Sequence, residues 1–344
     1  MKVNRKSLVS GFSVVLLLLI SSLSFAQDAL SGSVRDQINN IQNLIHQKGA
    51  KWVAGETSVS NLPREEWQAL VGLSFKPLSA PPIPDEMSAM GVPAALDWRD
   101  NGGNFVTKVK NQAKCGSCWA FSLTGGLEAY VLRTQNKPGA DVDLSEQVLL
   151  SCSGVGSCQG GTLDAEYLQT TGLPLEKAYP YTATDGTCSS AAAGWENQAY
   201  KIDSWGSVSQ KVASIKSALA KYGPLPTAMM VYEDFMHYKS GIYSYTTGKK
   251  LGGHAVLLVG YNDAEQYFIV KNSWTPGWGE AGFFRIAYSE MSNSINFGLS
   301  TIAFKSAGGK DASAAQRQAE TNTFDPDKTW ERLAPMFEPA LHWQ

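Results

Sequence analysis

The sequence of 344 residues contains only 4 histidines, and its 5 cysteines are an odd number. It has no Asn-x-Ser/Thr acceptor for glycosylation and no block of basic residues, and its 29 basic and 31 acidic residues give a net charge of −2. Without a basic patch, a nucleic-acid partner is not expected. A hydrophobic content of 43% with 17% charged residues is typical of a globular protein, which excludes a disordered or fibrous chain.

The N-terminus has the composition of a secretory signal peptide, which we predict over residues 1–26. Basic residues precede an apolar run over 8–20, and Ser24-Phe25-Ala26 supplies a small-residue cleavage site. The alternative is an uncleaved membrane anchor, but no second apolar run is long enough to span a bilayer. We therefore expect a soluble mature protein in the secretory pathway, extracellular, periplasmic or endolysosomal, without stable membrane association. Disulfides persist in such compartments.

Periodicity indicates helices in the first part of the chain and strands in the second. Helices are predicted over 33–48, from Pro63, after Cys118, from Ser145 to Cys152 and over 208–221, and strands over 255–261, 267–270 and 282–287. Prolines between 77 and 93 predict an extended linker that separates an N-terminal module from the main domain. Helices followed by strands favour an α+β protein with two unlike halves.

Cys118 is the candidate nucleophile. It follows Gly116 and Ser117 and precedes an apolar helical pattern, which predicts a position at a helix start. The positive end of a helix dipole lowers the pKa of a thiol and favours the reactive thiolate. An unpaired cysteine in an exported protein is either intermolecular or reactive.

Three motifs carry a resemblance to a known family. The segment Cys115-Gly116-Ser117-Cys118-Trp119, with Gln112 six residues before Cys118, resembles the active-site segment of papain and the cathepsins. Gly253-His254-Ala255-Val256 and Lys271-Asn272-Ser273-Trp274 follow in the family's order. A lone cysteine is more often inert packing, but three motifs in this order are specific. The chain resembles papain-like cysteine peptidases over roughly residues 33–304.

The resemblance implies a role for each catalytic position. Cys118 attacks the scissile carbonyl as thiolate, and His254 acts as its base and then as the acid for the leaving amine. Asn272 accepts the other imidazole N–H, and Gln112 donates to the oxyanion beside the Cys118 backbone N–H. Trp274 shields the His254–Asn272 pair from water. The implied fold has two lobes, one helical and one β-barrel-like, with the active-site cleft between them.

The same resemblance pairs Cys115 with Cys158 and Cys152 with Cys188, although the residues alone allow three connectivities. It also implies that the backbone of Gly160 and Gly161 binds the substrate as an extended strand. The implied walls of the pocket for the second residue before the scissile bond are apolar except for one threonine: Thr162, Leu163, Ala228, Ala255 and Ile302. A hydrophobic residue is expected there. Gly253 stands where many members have Asp or Asn, and it completes the predicted substrate-binding set with Trp274.

Four units are predicted along the chain. They are the signal peptide 1–26, an inhibitory propeptide 27–92, the peptidase domain 93–304 and a C-terminal tail 305–344 without an assigned role. The short propeptide, with Trp52-Val53-Ala54-Gly55 after a helix, is similar to cathepsin B propeptides. Because 20 residues separate Cys158 from Tyr179, the occluding loop of cathepsin B has no room, which favours endopeptidase action.

The expected partners are protein or peptide substrates, the chain's own propeptide and cystatin-like inhibitors, and a monomer without cofactor or metal is expected. Two other hypotheses stay open. Cys115-x-x-Cys118 is compatible with a secreted thiol–disulfide redox protein. The other three cysteines would then be an odd number, and they could not all form pairs. The third hypothesis is a binding protein on an inactive peptidase scaffold.

Overall fold

The computed structural model describes residues 33–77, 79–84 and 92–307. The predicted signal peptide and all but the first three residues of the predicted tail lie outside these ranges.

The N-terminal segment, residues 33–84, packs its apolar side chains onto the rest of the chain. Helix α1 (33–48) is followed by strand β1 (Lys51–Ala54) and the short helix α2 (Arg64–Trp67). α1 buries one apolar face, as its helical spacing predicts. Trp52 and Trp67 join the core of the main sheet. The segment therefore has no core of its own.

A helical lobe is built around α3. Its helices are α3 (Cys118–Thr134), α4 (Glu146–Cys152) and α5 (Glu166–Thr170). Every residue of α3 except Thr134 is buried, so this helix runs through the molecule. A side chain at Gly126 would place its Cβ 2.8 Å from Cγ of Pro226, and this close approach explains a glycine inside the helix. The Ser145 hydroxyl caps α4 by accepting from the N–H of Val148 at 3.1 Å.

The β lobe is a curled sheet around strand β8. The strands of the structure are β2 (Ala95–Asp97), β3 (Gly156–Ser157), β4 (Gly160–Gly161), β5 (Ser204–Ser207), β6 (Leu225–Tyr232), β7 (Tyr238–Tyr243), β8 (Lys250–Asn262), β9 (Tyr267–Lys271), β10 (Phe283–Ala287) and β11 (Ile302–Lys305). The seven-stranded sheet has the order β1-β7-β10-β9-β8-β2, with β6 also paired to β8. β1 of the N-terminal segment thus extends the sheet at the edge of β7. β5 pairs with β11, and β3 with β4.

Two hydrophobic clusters correspond to the two lobes. One combines the main sheet with helix α6 (Val212–Tyr222), and the other surrounds α3 and α4. The predicted α+β architecture with two unlike lobes is confirmed.

Helix α6 begins four residues later than its apolar pattern predicts. The backbone N–H of Val208 donates to the carbonyl of Thr301 at 2.9 Å, next to the β5–β11 pair. The chain from 208 therefore continues the sheet before it turns into the helix.

Candidate active site

The Cys118 thiol lies at the first residue of α3, fully buried between the two lobes. Its sulfur accepts from the backbone N–H of Ala255 in β8, with N···S 3.5 Å. Burial raises the pKa of this thiol, while the backbone N–H groups of Ala255, Gly72, Trp119 and Cys118 itself lower it. The N–H groups of Ala255, Trp119 and Cys118 favour the thiolate once the sulfur is no longer covered.

His254 lies in β8, and Asn272 directly follows the adjacent strand β9. The Nε2 of His254 lies 2.9 Å from Oδ1 of Asn272, and this oxygen also accepts from the backbone N–H of Ser273 at 2.8 Å. Burial lowers the pKa of His254 to about 4, and the hydrogen bond to Asn272 opposes the shift. The ring of Trp274, which is 1% exposed, lies with its centroid 4.7 Å from the imidazole. Trp274 therefore covers the His254–Asn272 pair. Among the described residues, none is a hydrogen-bond partner of the imidazole Nδ1.

Gln112 is fully buried and held at both ends of its side chain. Its Nε2 donates to the carbonyls of Cys115 at 2.9 Å and Leu70 at 3.2 Å. Its Oε1 accepts from the hydroxyl of Ser273 at 2.7 Å, and its backbone N–H donates to the carbonyl of Ser273 at 2.9 Å. The side-chain amide of Gln112 thus donates to one carbonyl in the Cys115–Cys118 segment and to one in the N-terminal segment.

Residues 71–75 of the N-terminal segment lie in the cleft as an extended chain. The Leu73 N–H donates to the Gly253 carbonyl at 3.0 Å, and the Gly161 N–H donates to the Gly72 carbonyl at 2.9 Å. The Ser74 N–H donates to the Gly161 carbonyl at 2.8 Å, so Leu73 bridges Gly161 in parallel and Gly253 in antiparallel register. The Gly72 backbone packs against Gly116, and its N–H is close enough to the Cys118 sulfur to lower the pKa of the thiol.

The positions predicted as pocket walls fall on both sides of this extended chain. Leu163, Ala228, Ala255 and Ile302 are buried in one hydrophobic cluster, and Ala228 lies directly opposite Ala255 in the β6–β8 pair. Thr162 is half-buried next to Leu163. Leu73 belongs to the same cluster and Phe75 packs against it. Apolar side chains of the N-terminal segment thus share one hydrophobic cluster with the predicted pocket positions.

Glycine is required at three of the predicted substrate-binding positions. Gly160 has a φ of 128°, in the region that favours glycine, and a Cβ on Gly161 would lie 2.5 Å from the Trp119 ring. At Gly253 a Cβ would lie 2.6 Å from both the Leu73 carbonyl oxygen and the Phe75 ring. The bare backbone at these positions lets an extended chain approach both walls of the cleft.

Comparisons with known proteins agree with this geometry. The family model described as "Papain family cysteine protease" matches residues 92–302. The chain belongs to the papain family of cysteine proteases. It is 33% identical to ananain of Ananas comosus over 280 residues, 78% of this chain and 77% of that protein. It is 35% identical to the cathepsin B-like CP3 of Giardia intestinalis over 288 residues, 78% of this chain and 93% of that protein.

Solved proenzymes share the fold of this papain-family protease. The structure of digestive procathepsin L 3 of the Tenebrio molitor larval midgut superposes with a TM-score of 0.68 at 26% identity, covering 81% of this chain and 90% of that one. With its N-terminal segment lying across the cleft, this papain-family chain is a zymogen cysteine peptidase.

The cysteine pairing bears on the redox hypothesis for this papain-family protease. Cys115 is bonded to Cys158 and Cys152 to Cys188, the pairs that the resemblance implies, and Cys118 is free. Because Cys115 is not paired with Cys118, the Cys115-x-x-Cys118 segment does not form a redox disulfide, and that alternative is wrong. Within the described ranges, no three His, Cys, Asp or Glu side chains are arranged to hold a metal ion. No helix there is long and apolar enough to cross a bilayer.

Some residues of the papain-family site were missed by the sequence analysis. Ser273 was given no role beyond its place in the Asn272 motif, although its position directly after Asn272 was a signal. Leu70, Gly72 and Leu73 were not singled out, because nothing local marks a segment that will lie in a distant cleft. Tyr181, which contacts both Gln112 and Ser117, was also missed.

Proposed function

We propose that this protein is the precursor of a cysteine endopeptidase with Cys118 as nucleophile and His254 as general base and acid. The observation that carries the proposal is the placement of one free thiol at a helix start, against a β8 strand that bears a histidine paired with Asn272. A helix start favours thiolate, and a histidine held by a second group is the usual partner of such a nucleophile.

The reaction is acyl transfer through a thioester. The Cys118 thiolate adds to the scissile carbonyl, and the oxyanion accepts from the side-chain N–H of Gln112 and the backbone N–H of Cys118. The tetrahedral intermediate collapses to a thioester as the imidazolium of His254 protonates the departing amine. Imidazole then deprotonates a water, which hydrolyses the thioester to the carboxylic acid and restores the thiol. Asn272 holds the imidazole orientation, and each oxyanion donor is typically worth about 10² to 10³ in rate.

The segment 27–92 acts as the inhibitory propeptide. Its backbone at Gly72 covers the sulfur, and the Leu70 carbonyl accepts from Gln112, so a substrate cannot reach either group. Its similarity to cathepsin B propeptides stays a prediction. Removal of 1–26 on export and of 27–92 on activation would leave the peptidase domain 93–304 with the tail 305–344.

Substrate preference follows the cleft walls. The apolar cluster that includes Leu163, Ala228 and Ala255, and against which Phe75 packs, favours a hydrophobic residue two positions before the scissile bond. No occluding loop fits between Cys158 and Tyr179, which supports cleavage within chains rather than at C-termini. The gene product is proposed to work as a monomer outside the cytoplasm, where cystatin-like inhibitors would bind its open cleft.

The test uses the purified precursor and its Cys118→Ala variant. Both are incubated with a thiol reductant from pH 4 to 7, followed by mass spectrometry and by hydrolysis of fluorogenic dipeptidyl amides. We expect the wild type to lose the segment 27–92. It should hydrolyse amides with Phe or Leu two positions before the scissile bond faster than amides with Asp or Arg there. The Cys118→Ala chain should do neither alone, but should be cleaved by added wild type.

Two results would count against the proposal. A folded, propeptide-free wild type that hydrolyses no amide would favour the inactive-scaffold alternative. Equal activity of the Cys118→Ala variant would show that another group is the nucleophile.

A further inference from the structure

One phenol hydroxyl joins the two chain segments that supply the oxyanion donors. The hydroxyl of Tyr181 donates to the backbone carbonyl of Gln112 at 2.8 Å. The same oxygen lies 2.6 Å from the hydroxyl of Ser117, the residue before Cys118. Since the phenol proton is used on Gln112, Ser117 donates to Tyr181, and the hydrogen bonds run in one direction from Ser117 through Tyr181 to Gln112.

The two joined segments must keep a fixed separation for the proposed chemistry. One oxyanion donor is the side-chain N–H of Gln112, and the other is the backbone N–H of Cys118 on the next segment of chain. Between them, Ala113 has a φ of 50°, an uncommon conformation for alanine that has to be held by its surroundings. A misplacement of about 1 Å in such a donor can cost about 10²-fold in rate. A tie between Gln112 and Ser117 therefore acts directly on the donor geometry.

Tyr181 is itself fixed from outside the site. Its ring lies edge-on to Phe121 of α3, with centroids 4.9 Å apart, and its backbone N–H donates to the Glu176 carboxylate at 2.6 Å. Burial raises the pKa of the Tyr181 hydroxyl, so the phenol stays protonated and remains a donor at any pH where the enzyme works. Ser117 is fully buried, so no water replaces the phenol as its partner without a local change.

We propose that Tyr181 is a positioning residue that sets the geometry of the oxyanion site by tying the carbonyl of Gln112 to the hydroxyl of Ser117. This inference rests on the proposed acyl-transfer function, since it concerns the donors of that reaction. Tyr181 does not touch the substrate and acts through Gln112 and the Cys118 N–H.

The test is Tyr181→Phe, which removes only the hydroxyl, in the activated enzyme. We expect kcat to fall about 10-fold or more with KM changed far less, because the oxyanion exists only in the transition state. Tyr179→Phe is the matched control: it lies two residues away, and its hydroxyl donates to the Thr187 carbonyl at 3.1 Å, away from Gln112. Its kcat should equal that of wild type.

A double-mutant cycle separates positioning from general destabilisation. If Tyr181 acts through Gln112, the loss caused by Tyr181→Phe should become much smaller in a Gln112→Ala background. Thermal melting and titration of the Cys118 thiol report on folding. If Tyr181→Phe does not fold, Ser117→Ala breaks the same chain of hydrogen bonds and should also lower kcat.

The outcomes distinguish this inference from the proposed function. Additive losses in the cycle, or a Tyr181→Phe enzyme as active as Tyr179→Phe, would overturn the positioning role and leave the proposed function intact. A Gln112→Ala variant with full activity would overturn this inference and the oxyanion role of Gln112, but would leave the proposed peptidase activity intact. An inactive wild type would overturn the proposed function and this inference with it.

Discussion

The His237 imidazole lies edge-on to the Trp67 indole, with ring centroids 5.8 Å apart, beneath the N-terminal segment. The histidine is 1% exposed, and neither ring nitrogen has a hydrogen-bond partner among the described residues. Its backbone carbonyl accepts from the N–H of Gly55 at 2.8 Å. The N-terminal segment therefore covers this histidine without offering its ring nitrogens a hydrogen-bond partner.

Acid should weaken binding of the propeptide through His237. Burial, with a smaller contribution from the positive charge of Arg64, lowers the pKa of His237 to about 4 in the zymogen. In the released enzyme the exposed imidazole should return toward its ordinary pKa of about 6.5. Protonation therefore favours the released state. The affinity for the propeptide should have its full value above about pH 6.5 and fall by up to tenfold per pH unit down to about pH 4. The total loss of affinity is about 300-fold.

The measurement is the inhibition constant of a synthetic 27–92 propeptide against the mature enzyme as a function of pH. His237→Phe keeps an aromatic ring beside Trp67. It should lower the slope of the log inhibition constant against pH by the contribution of one proton. His46→Gln, at an exposed position of α1, is the matched control and should keep the wild-type slope. Identical slopes for His237→Phe and wild type would disprove the role of this histidine.

Gly72→Ala should release inhibition without changing the mature enzyme. The added Cβ would overlap the backbone of Gly116, so the propeptide could not lie against the Cys118 loop. We expect inhibition by the variant propeptide to weaken at least about 10-fold, the equivalent of about 1.4 kcal/mol. The comparison is a Ser74→Ala propeptide, which changes an exposed side chain two residues away and should inhibit normally. Equal inhibition by both would contradict the observed close approach.

Lys110→Met should destabilise the fold behind the active site. The Lys110 ammonium lies 2.8 Å from Glu128, 2.6 Å from Asp143 and 2.8 Å from Glu146. Burial raises the pKa of Glu146, so this carboxylate depends on its counter-ion to stay charged. Loss of the lysine leaves buried negative charge unpaired, at a cost of about 3 to 5 kcal/mol in unfolding free energy.

Denaturant unfolding of Cys118→Ala chains, which cannot self-cleave, measures this cost. Lys108→Met is the matched control, because its pair with Asp141 is exposed, and it should cost under about 1 kcal/mol. The cost of Lys110→Met should shrink as pH falls and the carboxyls become neutral. A pH-independent loss would mean that packing of the lysine stem, not its charge, is what matters.

Asn272→Ala should lower activity and narrow its pH range. The hydrogen bond from His254 Nε2 to the Oδ1 of Asn272 raises the pKa of His254, so its loss should move the basic limb of kcat/KM to lower pH. Because the imidazole also loses its fixed orientation, we expect kcat/KM to fall about 10²-fold. Asn197→Ala, at an exposed position of the helical turn Trp195–Gln198, is the control. An unshifted basic limb in Asn272→Ala would show that Asn272 does not affect the pKa of His254.

The sequence by itself determined the local features of this protein. The helix that begins at Cys118 follows from the glycine and serine before it and the apolar spacing after it, because helical periodicity is a local property. Motifs around Cys118, His254 and Asn272 identified the family, since each is a short run of neighbouring residues. The α+β order could be predicted for the same reason, although α6 was placed four residues too early.

Tertiary structure alone decided which distant residues meet. β1 has only four residues, and its strand conformation depends on pairing with β7, far along the chain. Three other features likewise involve segments that no local pattern links. They are the disulfide pairs, the approach of Gly72 to the thiol, and the contact of Tyr181 with Gln112. Such contacts form only when packing of the whole chain offsets the entropy lost in ordering it, so they cannot be found from the periodicity of one segment.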